Sequence, residues 1–121
     1  MKLGKRGEDE ACRFLENAGH RILDRNWRSG HLEIDIVTLD REGIHFVEVK
    51  TRMAPLSADP LESVGREKQR KIEEAARRWL RSDKDVIYSD EEVFFDVVGI
   101  VFEKEDIRVD YYPQAYMPIM I

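Results

Sequence analysis

The sequence predicts an α/β fold, a mixed sheet with helices packed against it. Segments in which apolar residues recur with a helical repeat are interspersed with segments of period two. Three strand-like runs follow one another through two tight turns, which gives an antiparallel meander. The segment Val93–Phe102 is apolar almost throughout, the pattern of a strand buried on both faces of a sheet.

The first helix is expected over residues 3–18, because Ala11, Phe14, Leu15 and Ala18 recur at i, i+3, i+4 and i+7. Gly19 supplies its stop. Extended stretches follow at 21–28, ending at Ser29-Gly30, at 31–39, ending at Asp40 to Gly43, and at 44–51. A loop with Pro55 and Pro60 leads to a second helix over 62–81, with Val64, Ile72, Ala75, Ala76, Trp79 and Leu80 as its apolar stripe. Lys68 falls on that stripe and should point toward the sheet. The strand Val93–Phe102 comes next, then Ile107–Tyr112, and Pro113 and Pro118 break the remainder. A length of 121 residues allows one domain, 1–121, with a C-terminal tail at 113–121.

With 42% apolar and 37% charged residues, the chain is too hydrophobic for a disordered tail and too charged for a bilayer. Its longest apolar run is interrupted by Asp96 and falls short of the roughly 18 residues a membrane span needs. The N-terminus enters charge directly, without a secretory signal, and the single cysteine suits a reducing cytosol, so a cytoplasmic location is expected. The net charge of -5 argues against a nucleic-acid partner, but it is unevenly spread. Residues 1–49, 50–81 and 82–121 carry balances of -2, +4 and -7, so a basic middle segment lies between acidic ones.

Residues two apart on a strand share a face. Glu33 and Asp35 therefore share one face of the second strand, with Leu32, Ile34 and Ile36 on the other. Glu48 and Lys50 share a face of the third strand with Ile44 and Phe46, opposite Val47 and Val49. Pairing of the two strands can bring Asp35 close to Glu48. Two adjacent carboxylates suit a hard cation such as Mg²⁺, and a neighbouring lysine can stabilise charge building on a phosphorus centre. About one acid-x-Lys match is expected by chance and one is found, so its weight comes from the strand context and from Glu8, which borders the packed face of the first helix. The same residues also admit plainer roles: a helix-dipole partner for Glu8, solvent-facing strand positions for Glu33 and Asp35, and a salt bridge for Glu48 with Lys50.

Other chemistries are poorly supported. His20, His31 and His45 are scattered and give no zinc spacing with one cysteine. There is no glycine-rich loop ending in Lys-Ser or Lys-Thr. Cys12 lies on the apolar side of the first helix and reads as a small buried hydrophobe. Trp79 continues the helix stripe and reads as core, whereas Trp27, between Asn26 and Arg28, reads as the better candidate for a nucleic-acid contact.

Gly4-x-x-Gly7-Glu8-x-x-Ala11, Gly19, Arg25-Asn26-Trp27-Arg28, Glu33-Ile34-Asp35, Phe46-Val47-Glu48-Val49-Lys50-Thr51-Arg52 and Lys68, in that order, resemble the YraN-type family of uncharacterised bacterial proteins. That family belongs to the PD-(D/E)xK nuclease superfamily and is similar to archaeal Holliday-junction resolvases. The resemblance runs from Gly4 to about Tyr116. It implies a restriction-endonuclease-like three-layer α/β/α fold with a central mixed sheet. It also implies Asp35, Glu48 and the Val49 carbonyl as metal ligands, Lys50 as the catalytic lysine, Glu8 as the acid completing the site and Glu33 as an outer ligand. Mg²⁺ is the expected cofactor, with Mn²⁺ as an alternative. Arg28, Arg52, Lys68, Gln69 and Lys71 are the candidate nucleic-acid contacts. Leu32 and Phe94 depart from the family pattern, which often has glycine and arginine at these positions.

The expected function is Mg²⁺-dependent hydrolysis of DNA phosphodiesters, with branched DNA among the candidate substrates, and a two-fold homodimer would suit a symmetric branch. The alternatives are a non-cleaving nucleic-acid-binding or scaffolding protein with the same fold, and an interaction domain that uses an exposed segment over 111–121.

Overall fold

A computed structural model describes residues 2–54, 65–82, 88 and 90–116. The elements are α1 (Leu3–Asn17), β1 (Arg21–Ser29), β2 (Leu32–Leu39), β3 (Ile44–Met53), α2 (Arg66–Leu80), β4 (Val93–Phe102) and β5 (Ile107–Tyr112). The expected order is observed. Positions 62–64, where the second helix was expected to begin, and the loop with Pro55 and Pro60 lie outside the described residues.

The apolar stripe of α1 buries Ala11, Cys12 and Leu15. The helix ends where Gly19 takes φ 97, a conformation that favours glycine. There the Gly19 N–H donates to the Glu16 carbonyl at 3.1 Å and the His20 N–H to the Leu15 carbonyl at 2.9 Å. This reversal feeds the chain into β1 and fixes the position of His20.

The five strands lie in the order β1-β2-β3-β4-β5. The meander of β1, β2 and β3 is antiparallel, β3 pairs parallel with β4, and β4 pairs antiparallel with β5, so the sheet is mixed. The interior position of β4, with both of its faces covered, explains its nearly continuous apolar run. On one face α1 packs Ala11 and Leu15 against Ile36, Val47, Val98 and Ile100. On the other, α2 packs Ile72, Ala76 and Trp79 against Ile34, Phe46 and Phe95. The result is a three-layer α/β/α arrangement, the architecture that the resemblance implies. Trp79 anchors the second layer: it is fully buried, its Nε1–H donates to Asp24 Oδ2 at 2.7 Å, and it meets Phe46 edge-on at 5.7 Å.

Three expectations need correction. Ile36 does not share a face with Leu32 and Ile34, because it joins the α1 core while they join the α2 core. Alternation breaks between Ile34 and Ile36, where the Asn26/Asp35 rung is missing from the β1–β2 ladder and Asn26 adopts φ 51. Trp27 is half-buried against the α2 core, so packing accounts for it. The segment from Tyr111 to Tyr116 is not an exposed tail: Tyr111 lies in β5, the Ala115 N–H donates to the Phe95 carbonyl at 2.8 Å, and the Tyr116 ring stacks on Phe95 at 5.5 Å. Residues 117–121 lie outside the described residues. No helix among the described residues is long and apolar enough to cross a membrane.

Candidate active site

The candidate site forms where β2 and β3 part. Their pairing runs from Leu39↔Ile44 to Ile36↔Val47 and stops there. Asp35 and Glu48 are the next residue on each strand, so both carboxylates stand at the mouth of the gap. The Asp35 side chain takes the place of the missing strand partner: its Oδ2 accepts the Val49 N–H at 2.9 Å. This contact fixes the carboxylate against the backbone of the Glu48-Val49-Lys50 run. Lys50 Nζ lies 3.5 Å from Glu48 Oε1, and Lys68 Nζ, arriving from α2, lies 2.7 Å from the same oxygen. The expectation that Lys68 points toward the sheet is therefore met.

Glu8 is delivered by α1. Gly7 permits close approach of the helix to β3, because a Cβ there would lie 3.0 Å from both Cβ and Cγ2 of Thr51. Asn26 Nδ2 donates to Glu8 Oε1 at 2.8 Å, and Arg25 Nη2 lies 3.8 Å from that oxygen and 2.7 Å from Asp9 Oδ1. The break at Asn26 thus moves Asp35 out of the regular ladder and aims a donor at the helix-borne acid. Asn26 and Arg25 are site-positioning residues that sequence reasoning missed; the left-handed conformation that asparagine tolerates was the available signal.

Two adjoining cavities share Asp35, Glu48 and Lys68 in their walls. The smaller, about 280 Å³, also takes in Glu8, Val49, Lys50 and Arg52. The larger, about 670 Å³, extends past Glu33 and His31 to Arg66 and Lys71. The structure therefore brings Glu8, Asp35, Glu48, Val49, Lys50, Arg52, Lys68 and Lys71 to one continuous groove. Arg28 and Gln69 line neither cavity, and Arg28 pairs across the strands with Glu33 at 3.4 Å.

Burial, and then the charge of Glu48, push Asp35 up to about 7, with the Val49 N–H acting in the opposite direction. A hydrogen bond to Glu48 adds to the upward push on Asp35. Lys50 is pulled below its ordinary value by burial and then by Lys68. For Lys68, burial opposes the charged form, but the hydrogen bond and charge of Glu48 outweigh it and hold the ammonium above its ordinary value. Two cations on one carboxylate beside a second, destabilised carboxylate make a site poised to exchange a proton or ammonium for another cation.

A second polar cluster sits at the turn end of the same hairpin. His20, Asp40 and His45, scattered in sequence, converge there with ligand-type atoms within 4.8 Å of one another, an arrangement that could hold a metal ion. The expectation that the histidines form no metal-type group is corrected for two of the three; His31 lies apart, on the larger cavity. The cluster was not legible because its members come from the α1–β1 junction, the β2–β3 turn and β3. Burial, and then the neighbouring His45, lower the pKa of His20. Burial opposes charging of His45, but Asp96 and Asp40 outweigh it and raise the pKa of that ring. Cys12 is buried as expected, and burial raises its thiol pKa.

The chain is 37% identical over 117 residues to a UPF0102 protein of Bacteroides thetaiotaomicron, spanning 97% of this chain and 93% of the relative. It is 45% identical over 101 residues to a UPF0102 protein of Rhodococcus jostii, spanning 84% and 83%. Among solved structures it is similar to Pyrococcus furiosus SfsA in complex with Ca²⁺, at 18% identity and a TM-score of 0.39, over 92% of this chain and 62% of that one. Residues 7–100, which hold Glu8, the parted strands and Lys68, match the Uncharacterised protein family UPF0102. With that match and near full-length relatives carrying the same designation, the chain belongs to the UPF0102 family, the YraN-type family that its ordered motifs resemble.

Proposed function

We propose that this chain is a divalent-cation-dependent nuclease that hydrolyses DNA phosphodiesters. The carrying observation is the convergence of Asp35, Glu48, Val49 and Lys50 at the parted strands, with Asp35 held against the Val49 N–H at 2.9 Å. The donor set fits Mg²⁺ or Mn²⁺, since two carboxylates and a backbone carbonyl are hard oxygen donors and the charge of Glu48 disfavours a second negative charge on buried Asp35. A bound cation would offset that repulsion and acidify a water for attack on phosphorus. Lys50, with its side chain only 12% exposed, places an ammonium beside Glu48 where it can hydrogen-bond a phosphate oxygen as negative charge grows. Lys68 is 45% exposed and can leave Glu48 for the phosphate that enters. Glu8, fixed by Asn26, completes the acidic wall. Arg52, Arg66 and Lys71 line the groove on either side and can follow a nucleic-acid backbone despite the net charge of -5. Branched DNA, and a dimer that would match its symmetry, extend the same reading from the family resemblance.

The test is incubation of the purified chain with duplex, flap and four-way DNA in Mg²⁺ or Mn²⁺. Cleavage should require the cation, vanish in Glu48→Ala and fall roughly 10²-fold or more in Lys50→Met. Cleavage that survives Glu48→Ala overturns the assignment. Salt-sensitive DNA binding with no cleavage under any condition favours the non-cleaving alternative.

A further inference from the structure

We propose that His20, Asp40 and His45 form a second metal site, selective for a zinc-class divalent ion and independent of the groove at the parted strands. His45 Nε2 lies 2.9 Å from Asp40 Oδ1, and His20 Nε2 lies 3.5 Å from Asp40 Oδ2. Tetrahedral zinc, with bonds of about 2.0 to 2.2 Å, spaces its ligand atoms by roughly 3.3 Å, between the two observed distances. A small adjustment therefore admits the ion between atoms that already face one another.

The outer contacts are those of ligating histidines. His45 turns its Nδ1 to Asp96 Oδ2 at 2.6 Å, and His20 turns its Nδ1 to Thr38 Oγ1 at 2.7 Å. Both rings are thereby oriented from behind and present Nε2 inward, as imidazoles bound to a metal do when their other nitrogen is held by an oxygen partner. Asp96 is itself fully buried and fixed by the Tyr111 hydroxyl at 2.6 Å and the Gln114 N–H at 3.0 Å. Asp40 Oδ1 accepts the Glu42 and Gly43 N–H groups at 2.9 and 3.2 Å, which leaves Oδ2 facing His20.

The His20 ring stands 4.6 Å from the His45 ring, centroid to centroid, and both aim Nε2 at one carboxylate. One divalent ion between them would be ligated by both imidazoles and the carboxylate at once, in place of the hydrogen bonds that imidazole N–H groups otherwise supply to Asp40. Two nitrogen donors among three disfavour Mg²⁺, which selects oxygen, and suit zinc. Both histidine side chains are 4% exposed and Asp40 is 13% exposed, so the turn provides the path of entry. The ion would clasp the end of α1 to the β2–β3 turn and the start of β3.

The experiment is Zn²⁺ titration of the chelator-stripped full-length chain in competition with a chromophoric chelator. One Zn²⁺ per chain should bind at micromolar strength or tighter, with excess Mg²⁺ failing to displace it and Co²⁺ giving the intense visible band of a tetrahedral site. His20→Gln and Asp40→Asn, with folding checked by far-ultraviolet circular dichroism, should each weaken binding at least tenfold. Glu48→Gln should leave it unchanged. Three results would each overturn the proposal: no stoichiometric uptake, undiminished uptake in a folded His20→Gln variant, or uptake lost on Glu48→Gln. The first two leave the nuclease reading untouched, because it rests on other residues, and the third would place the zinc in the groove of that reading instead.

Discussion

Replacing Asp35 with asparagine should stabilise the metal-free protein while abolishing its response to Mg²⁺. Burial and the Glu48 charge push this carboxyl up to about 7, so the folded chain holds its proton more tightly than the unfolded chain does. The sign follows from linkage: the group imposes no penalty below its unfolded value of 3.8, and stability is lost as pH rises from there through about 7. At about 1.4 kcal/mol per pH unit the full displacement corresponds to ~4 kcal/mol. The Lys50 and Lys68 ammonium groups beside Glu48 and partial solvent access reduce the expected gain to about 1–3 kcal/mol. Asparagine keeps an oxygen for the Val49 N–H, so the variant removes charge without removing the acceptor. Thermal melts in EDTA at pH 5 and pH 8.5 provide the assay. The wild-type chain should lose stability relative to the variant at the higher pH, where Asp35→Asn should melt at least about 3 °C above it. Added Mg²⁺ should raise the wild-type midpoint and leave the variant unmoved. A variant that melts below wild type at pH 8.5 in EDTA would refute the reasoning, since the carboxylate would then be a net stabiliser through Lys50 and Lys68.

Gly7→Ala should destabilise the fold by about 1–2 kcal/mol in urea melts, because overpacking against Thr51 outweighs the helix-propensity gain of about 1 kcal/mol. Thr51→Ala in the same chain should recover part of the loss, and a stabilised single variant would show that α1 does not approach β3 this closely. Trp79→Ala should cost about 3–5 kcal/mol, given complete burial and the loss of the bond to Asp24. A change below about 1 kcal/mol would be incompatible with Trp79 as the centre of the α2 layer.

The elements themselves were legible in the sequence, because periodicity reports which faces are covered. The stripes of α1 and α2 and the nearly continuous apolarity of β4 translate directly into three layers. The meeting of Asp35 and Glu48 was also legible, since a short hairpin turn leaves little freedom in register. Local departures were not. Simple alternation puts Ile36 beside Ile34, and only the left-handed backbone at Asn26 and the missing rung put it elsewhere. Contacts between distant segments were hidden for a different reason. Asn26 reaches Glu8, and His45 reaches Asp96, across separations at which no repeat or spacing in one sequence carries information. Asp96 looked like an interruption in an apolar strand, whereas it is a buried acid with three donors around it.

The parallel pairing of β3 with β4 bears on the order of assembly. Every rung between them joins residues 49 positions apart, from Ile44↔Val93 to Met53↔Phe102, while the meander closes over the short spans Ser29↔Leu32 and Leu39↔Ile44. Loop-closure entropy favours early formation of the meander and makes docking of β4 the slow event. Asp35, Glu48 and Lys50 all belong to the early part, whereas Lys68 lies within the long crossover. The acidic pair therefore comes together before its second ammonium partner is in place, and a divalent ion present during folding meets the two carboxylates at their least compensated.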